Sequence, residues 1–399
     1  MKKCELLAPA KDLHKAKTAI RYGADAVYIG GKEYSLRARA SNFEREDIAE
    51  AVAFAHEHNA RLYVTVNIVF HDEDLYGIKE YLQYLESIGA DAVIIESPGL
   101  VRIVKKYAPK LECHISTQLS SLNSSSADLL KNWGADRVVL GRELSIREIS
   151  EVAANTELPL EVFIHGGMCA NYSGRCTLSN YMTLRDANRG GCAQSCRWHY
   201  RLYKDGEELS DPEHTFSMGS RDLQAAAFLK DMHRLGIASL KIEGRMKSDY
   251  YIATVVRAYR TILDKLDAGE EIGEEDLAFF GNELNKAENR PFACGFLDGV
   301  MDESKQLYEE TANVRHDYVG YVREYDPYNG LARIETRNPF AVGDTLEVFG
   351  PHKENRRFVL TDMFNEDWEL VEESHTPMRT LWLMIPFETE EHDMVRLVK

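Results

Sequence analysis

Four times in this chain a glycine closes an amphipathic stretch and a short apolar run follows at once. Tyr22-Gly23-Ala24-Asp25 leads into Ala26-Val27-Tyr28-Ile29-Gly30, and Ile88-Gly89-Ala90-Asp91 into Ala92-Val93-Ile94-Ile95-Glu96. Trp133-Gly134-Ala135-Asp136 leads into Arg137-Val138-Val139-Leu140-Gly141, and Leu235-Gly236-Ile237-Ala238 into Ser239-Leu240-Lys241-Ile242-Glu243. Glycine suits the left-handed residue that ends a helix. The apolar runs are continuous rather than alternating, as in parallel strands covered on both faces. Further strands fit at 4–8, 61–66, 112–117 and 160–165, and helices at 13–22, 46–59, 74–88, 98–107, 124–133, 145–154, 221–235 and 249–266. Ser145 and Glu148 make a capping box for the sixth helix. Eight strands alternating with eight helices predict a (β/α)8 TIM-like barrel. An open doubly wound sheet has the same alternation, but no glycine-rich dinucleotide fingerprint follows the first strand.

The barrel predicts where the unusual residues fall. Cys169, Cys176, Cys192 and Cys196, four of seven cysteines, follow the seventh strand, separated by six, fifteen and three residues. They lie in an enlarged loop of about fifty residues before the seventh helix, on the end of the barrel where active sites are built. The later part of this loop, 200–209, alternates around Asp205-Gly206 and predicts a hairpin. Disulfides are the weaker reading of the thiols, because the total is odd and the N-terminus has only a brief apolar stretch before Pro9. Reduced thiols and a cytoplasmic protein are the expectation. Four thiolates suit zinc or an iron–sulfur cluster. Only the last pair has the short spacing usual for structural zinc, and spacing alone leaves both open. Cys4 and Cys113 fall on strands and read as buried small hydrophobes.

Glu161, Phe163, Gly166, Met168, Cys169, Gly174, Cys176, Leu178 and Ser179 resemble the signature of peptidase family U32, the collagenase-like peptidases. Gly167 departs from it, since the family usually has Ser or Ala there. The resemblance is firm to about Phe296, and Asn289-Arg290-Pro291-Phe292-Ala293-Cys294-Gly295-Phe296 resembles a second, weaker family motif ending in Gly-Phe. Many members are oxygen-independent RNA or quinone hydroxylases. The resemblance implies a [4Fe–4S] cluster on the four cysteines, 5-hydroxyuridine formation at the tRNA wobble position, and prephenate as co-substrate. It also leaves room for a second family member as heteromeric partner, for ribosomal RNA or a quinone precursor as acceptor, and for the peptidase activity of the family's name. Against the peptidase, the chain has neither a His-Glu-x-x-His nor a Gly-x-Ser-x-Gly motif.

Polar residues at strand ends are candidates for the site: Asn67, Glu96, Gln118, Arg142, His165, Glu243 and Arg245. His165 reads either as a catalytic acid–base group or as a hydrogen-bonded structural ring. Glu243 and Arg245 lie in a run similar to the family's Ile-Glu-Gly-Arg motif. Gly244 allows a close backbone turn, and the arginine fork could orient a carboxylate of prephenate, or merely pair with Glu243. Arg37 and Arg39 beside Phe43, together with Arg185, Arg189, Arg197, Trp198 and His199, offer a basic and aromatic rim for tRNA. The first group reads equally as a solvated loop, and the second as a set of cations offsetting thiolate charge. A net charge of −17 over 399 residues speaks against diffuse nucleic-acid binding, so any tRNA contact must be local. No apolar run has the length of a membrane span. The organisation expected is a barrel over 1–266 with its Fe–S loop at about 166–199, a helical linker over 267–311, and a small β-barrel over 312–399 with strands at 318–325, 331–336, 345–349, 357–361 and 380–385.

Overall fold

The computed structural model describes residues 3–36, 42–210, 216–300, 302–307 and 317–398. Strands β1 (Glu5–Pro9), β2 (Ala26–Gly30), β3 (Arg61–Val66), β4 (Ala92–Ile95), β5 (Glu112–Ile115), β6 (Arg137–Val139), β7 (Leu160–Gly166) and β8 (Ser239–Ile242) pair in chain order, all parallel. β8 pairs with β7 on one side and β1 on the other, which closes the ring. Every residue of β2 is buried, as its unbroken apolar run predicts, and so is every residue of β7, Glu161 and His165 included. The connecting helices are α1 (Leu13–Arg21), α2 (Arg45–Glu57), α3 (Ile78–Ser87), α4 (Pro98–Tyr107), α5 (Ser124–Trp133), α6 (Ile146–Ala154), α7 (Leu229–Arg234) and α8 (Asp249–Asp267). Each buries one stripe on the sheet, such as Leu100, Val101 and Val104 of α4. Each such side chain stabilises by roughly 1.5–3 kcal/mol. The Ser145–Glu148 capping box starts α6 as expected.

α8 differs from the others in burying fourteen of its nineteen residues. Its outer side is covered by α9 (Glu274–Asn285) and by the C-terminal domain. That domain is a seven-stranded antiparallel sheet: β9 (Tyr318–Asp326), β10 (Leu331–Thr336), β11 (Thr345–Phe349), β12 (Arg356–Val359), β13 (Met363–Phe364), β14 (Thr380–Met384) and β15 (Met394–Leu397), in the order β12-β11-β15-β9-β10-β14-β13. It has its own apolar core around Val319, Ile334, Leu346, Leu381 and Val395. Arg396 of β15, wholly buried, donates to Glu347 Oε2 of the same domain (Nε, 2.8 Å) and to Glu283 Oε2 of α9 (Nη2, 2.9 Å). Tyr318 Oη donates to Asp249 Oδ2 of α8 at 3.0 Å. No described helix is long and apolar enough to cross a membrane.

The structure departs from the sequence reading at the seventh helix. The helix expected over 221–235 is α-helical only as α7, Leu229–Arg234. Its first turn is replaced by a strand, Asp222–Gln224, which runs antiparallel to the end of β7 (Leu223↔Gly166) and parallel to Phe292–Ala293. Pairing with the last residues of a barrel strand outweighs helix propensity here, and propensity is the weaker term. The hairpin expected at 200–209 is present, with Tyr203–Lys204 paired to Glu207–Glu208.

Candidate active site

The interior of the barrel is ionic. Glu161 on β7 is fully buried, with Lys241 Nζ donating to Oε1 at 2.7 Å and Arg137 Nη1 to Oε2 at 3.2 Å. Arg137 Nη1 also donates to Glu5 Oε1 at 2.6 Å. Burial alone would raise the Glu161 carboxyl, yet Lys241 and Arg137 hold it down at about 2. Lys241 lies under the rings of Tyr28 and Phe163, 4.5 and 5.3 Å from their centroids, and reaches the floor of a cavity of about 560 Å³.

That cavity occupies the C-terminal mouth of the barrel, and the four cysteines of the loop line it. Two glycines let the loop lie there. Gly166, at φ +101°, leaves β7 so close to β8 that a Cβ would stand 2.2 Å from the Glu243 carbonyl oxygen. Gly174, at φ +73°, rests on the segment after β5, where a Cβ would be 1.8 Å from the Gln118 carbonyl oxygen. Side chains then pin the loop. Asn188 Nδ2 donates to the Cys176 carbonyl at 3.0 Å, the Ser173 amide to Glu143 Oε1 at 2.8 Å, and Arg189 to Val69 O at 2.7 Å and Asp74 Oδ1 at 3.1 Å. Arg189, expected on the rim, is therefore a tether.

Cys169 and Cys192 are exposed to the cavity, and Cys176 and Cys196 are half-buried. The Cys196 thiol is pushed above its ordinary value, first by burial and also by the other three thiols, against the pull of Arg197. Arg142 donates to the Gly167 carbonyl at 2.6 Å and places Nη2 3.7 Å from Cys169 Sγ. Four thiols around one cavity, beside cationic side chains, are a donor set that suits an iron–sulfur cluster or zinc.

Asn67, Gln118, Arg197, Glu243 and Arg245 all line the same cavity. Arg245 is buried, with Nη1 donating to Ser35 Oγ at 2.9 Å and Nη2 to the Leu36 carbonyl. Its fork thus holds the segment that follows β2, and the Glu243 carboxylate accepts from Tyr28 Oη at 3.2 Å. Asn67 likewise holds that segment, accepting from the Leu36 amide at 3.3 Å. Arg37 and Arg39 lie outside the described residues. His165 is a correction: it is not brought to the cavity. It is 1% exposed, packed among Tyr251, Tyr259 and Phe292, with Nδ1 3.2 Å from Tyr259 Oη. Burial pushes the ring down to about 3, so it is neutral and structural. The register shift between Lys241 and Ile242, opposite this part of β7, accompanies its turn toward α8.

Sequence reasoning missed Asp222, Arg290 and Lys247, which complete the cavity wall. Arg290 donates from Nε and Nη2 to Asp222 Oδ1, at 2.9 and 2.6 Å, and its amide donates to Oδ2 at 3.0 Å. Burial holds Lys247 below its ordinary value, as do Arg197 and Arg290 nearby, against Glu288 and Asp222. The available signal was Arg290's place in the second motif.

The comparisons agree with this architecture. The family model described as peptidase family U32 matches residues 11–307, and that of the family's C-terminal domain matches residues 314–396. The chain is 42% identical to a Bacillus subtilis (strain 168) protein named tRNA hydroxylation protein P1, over 99% of this chain and 95% of that one. It is 32% identical to the Escherichia coli (strain K12) tRNA hydroxylation protein P, over 98% and 95%. An Escherichia coli 23S rRNA 5-hydroxycytidine C2501 synthase is 40% identical over 66% of this chain but only 39% of its own length. Matched along both of its domains, the chain belongs to peptidase family U32.

Proposed function

We propose that this chain is a tRNA uridine hydroxylase that forms 5-hydroxyuridine at the wobble position, using an iron–sulfur cluster and prephenate. The observation that carries the reading is the convergence of four thiols and a cationic wall on one barrel mouth, in a chain whose full-length relatives are named for tRNA hydroxylation. Likeness to the ribosomal RNA enzyme stops at 39% of that protein, which favours tRNA as the acceptor.

Cys169, Cys176, Cys192 and Cys196 would hold a [4Fe–4S] cluster. Such a centre, when bound, supplies redox chemistry. Arg142, beside the Cys169 sulfur, offsets thiolate charge. Glu161 pairs with Lys241 at the cavity floor, and the arginines around it favour an anionic co-substrate such as prephenate. At the rim, Trp198 is exposed and stacks toward Tyr200 at 6.5 Å between ring centroids. An exposed indole beside the cysteine loop gives an unpaired base a face to stack on, and a wobble base already lies in a loop. With a net charge of −17, docking rests on few phosphate contacts, Arg185 among the described candidates.

Nucleoside mass spectrometry of tRNA from a deletion strain and its complement tests the reading. Loss of 5-hydroxyuridine-type nucleosides on deletion, restored by wild type and not by Cys176→Ala, is expected. An unchanged nucleoside profile in the deletion strain would refute it.

A further inference from the structure

Beside the cysteines the cavity wall holds more positive charge than its own carboxylates meet. Among the described lining residues are six cationic side chains, Arg142, Arg197, Lys241, Arg245, Lys247 and Arg290, against the carboxylates Asp222, Glu243 and Glu288. Most of these are matched. Lys241 is held by Glu161, Arg245 donates to Ser35 and Leu36, and Lys247 Nζ donates to the Glu288 carbonyl at 2.9 Å. Arg290 is paired as well, Nε and Nη2 sharing one oxygen of Asp222, but it is only 9% exposed and its Nη1 is buried with no hydrogen-bond partner. Leaving such a buried donor unmet is costly, the more so for a charged group.

Two glycines border this guanidinium. A Cβ on Gly219 would stand 3.1 Å from Ser217 Oγ, 3.8 Å from Arg290 Nη1 and 3.9 Å from the Cys196 carbonyl oxygen. A Cβ on Gly167 would stand 3.0 Å from Arg197 Nη2, 3.6 Å from Arg290 Nη2 and 3.8 Å from Asp222 Oδ1, so two guanidinium groups, one of them already paired with that carboxylate, face one point that a side chain would fill. Gly167 is the position where the chain departs from the family pattern of Ser or Ala. Its backbone is not in the left-handed region, so no turn requires glycine there.

We propose that Arg290 and Arg197, with Gly167 and Gly219 leaving the room, form a subsite for a carboxylate of a small anionic co-substrate, at the base of the cysteine loop. The inference rests on the reading of the cavity as a co-substrate site and assigns the group that anchors it. Arginine forks bind carboxylates with two parallel hydrogen bonds, and Asp222 fixes the Arg290 guanidinium beside that of Arg197. The rival explanation is that these cations only offset thiolate charge. In that case their removal would loosen metal retention rather than anion binding.

The test is anaerobic calorimetry on the intact, iron-containing protein with two probes, prephenate and malonate, with iron counted in each sample. Wild type is expected to bind at least one probe. Arg197→Gln is expected to weaken binding at least tenfold, and Gly167→Ala, which fills the space without straining the backbone, about threefold, both with iron unchanged. Malonate binding without prephenate binding would leave the subsite standing and remove prephenate as its ligand. Binding of neither probe, wild-type affinity in both variants, or iron loss in Arg197→Gln in place of weakened binding would overturn the subsite.

Discussion

His165 ends a strand three residues before the first cysteine of the loop, yet burial rather than position decides its role. Enclosed by Tyr251, Tyr259 and Phe292, the ring titrates at about 3 in the folded chain, against about 6.5 when free. The folded value is depressed, so the unfolded state binds the extra proton between pH 6.5 and 3. The stability this neutral ring contributes is present above 6.5 and is lost as pH falls through that window. Between pH 7 and pH 5 the loss amounts to about 2 kcal/mol at about 1.4 kcal/mol per unit. Urea denaturation of wild type and His165→Phe at both pH values is expected to show that much less acid sensitivity in the variant. Equal sensitivity would mean that the ring is solvated or already charged. The Arg290–Asp222 pair shows the limit of reading residues singly: the partners are 68 positions apart, and only the fold makes them neighbours.

At the level of elements, the cysteine loop is positioned by close backbone contact as well as by side chains. Gly174 in the left-handed region against the Gln118 carbonyl is the closest of these contacts. Gly174→Ala meets two penalties, a strained φ of about 1 kcal/mol and a backbone clash, and is expected to destabilise by about 2 kcal/mol or more. It should also displace Cys169 and Cys176 and lower iron retention. Gly206→Ala is the control, since Gly206 has φ +87° with nothing within 4 Å of its added Cβ, and only the first penalty applies. Thermal melts with iron counts on both variants check this. Equal behaviour would show that the Gln118 contact does not position the loop. The periodic elements were legible in the sequence because each glycine–apolar junction repeats one local rule. Strands such as Asp222–Gln224, Met363–Phe364 and Met394–Leu397 were not, being too short for a period and formed by partners distant in the chain. The cysteine loop's place was legible once the barrel was counted. The ionic floor was not, because Glu161 and Lys241 sit inside apolar strand runs.

Across the whole molecule, an acidic chain carries a cationic cavity at one end of a closed barrel, and a β-domain is fastened to the helical layer. Arg396 joins that domain to α9 through two buried carboxylates, and Tyr318 joins it to α8. The β-domain covers α8, the helix against which His165 packs, and so supports the end of β7 from which the cysteine loop departs. The net charge of −17 disfavours diffuse RNA binding, so the proposed function places recognition at that cationic mouth. The most direct measurement is iron and acid-labile sulfide per chain after anaerobic purification of wild type and of single alanine variants at each cysteine. About four irons and four sulfides are expected in wild type, with most of the cluster lost at Cys169, Cys176, Cys192 or Cys196 and kept at the buried Cys4 and Cys113. Stoichiometric zinc without iron, or full iron in any of the four loop variants, would contradict the account.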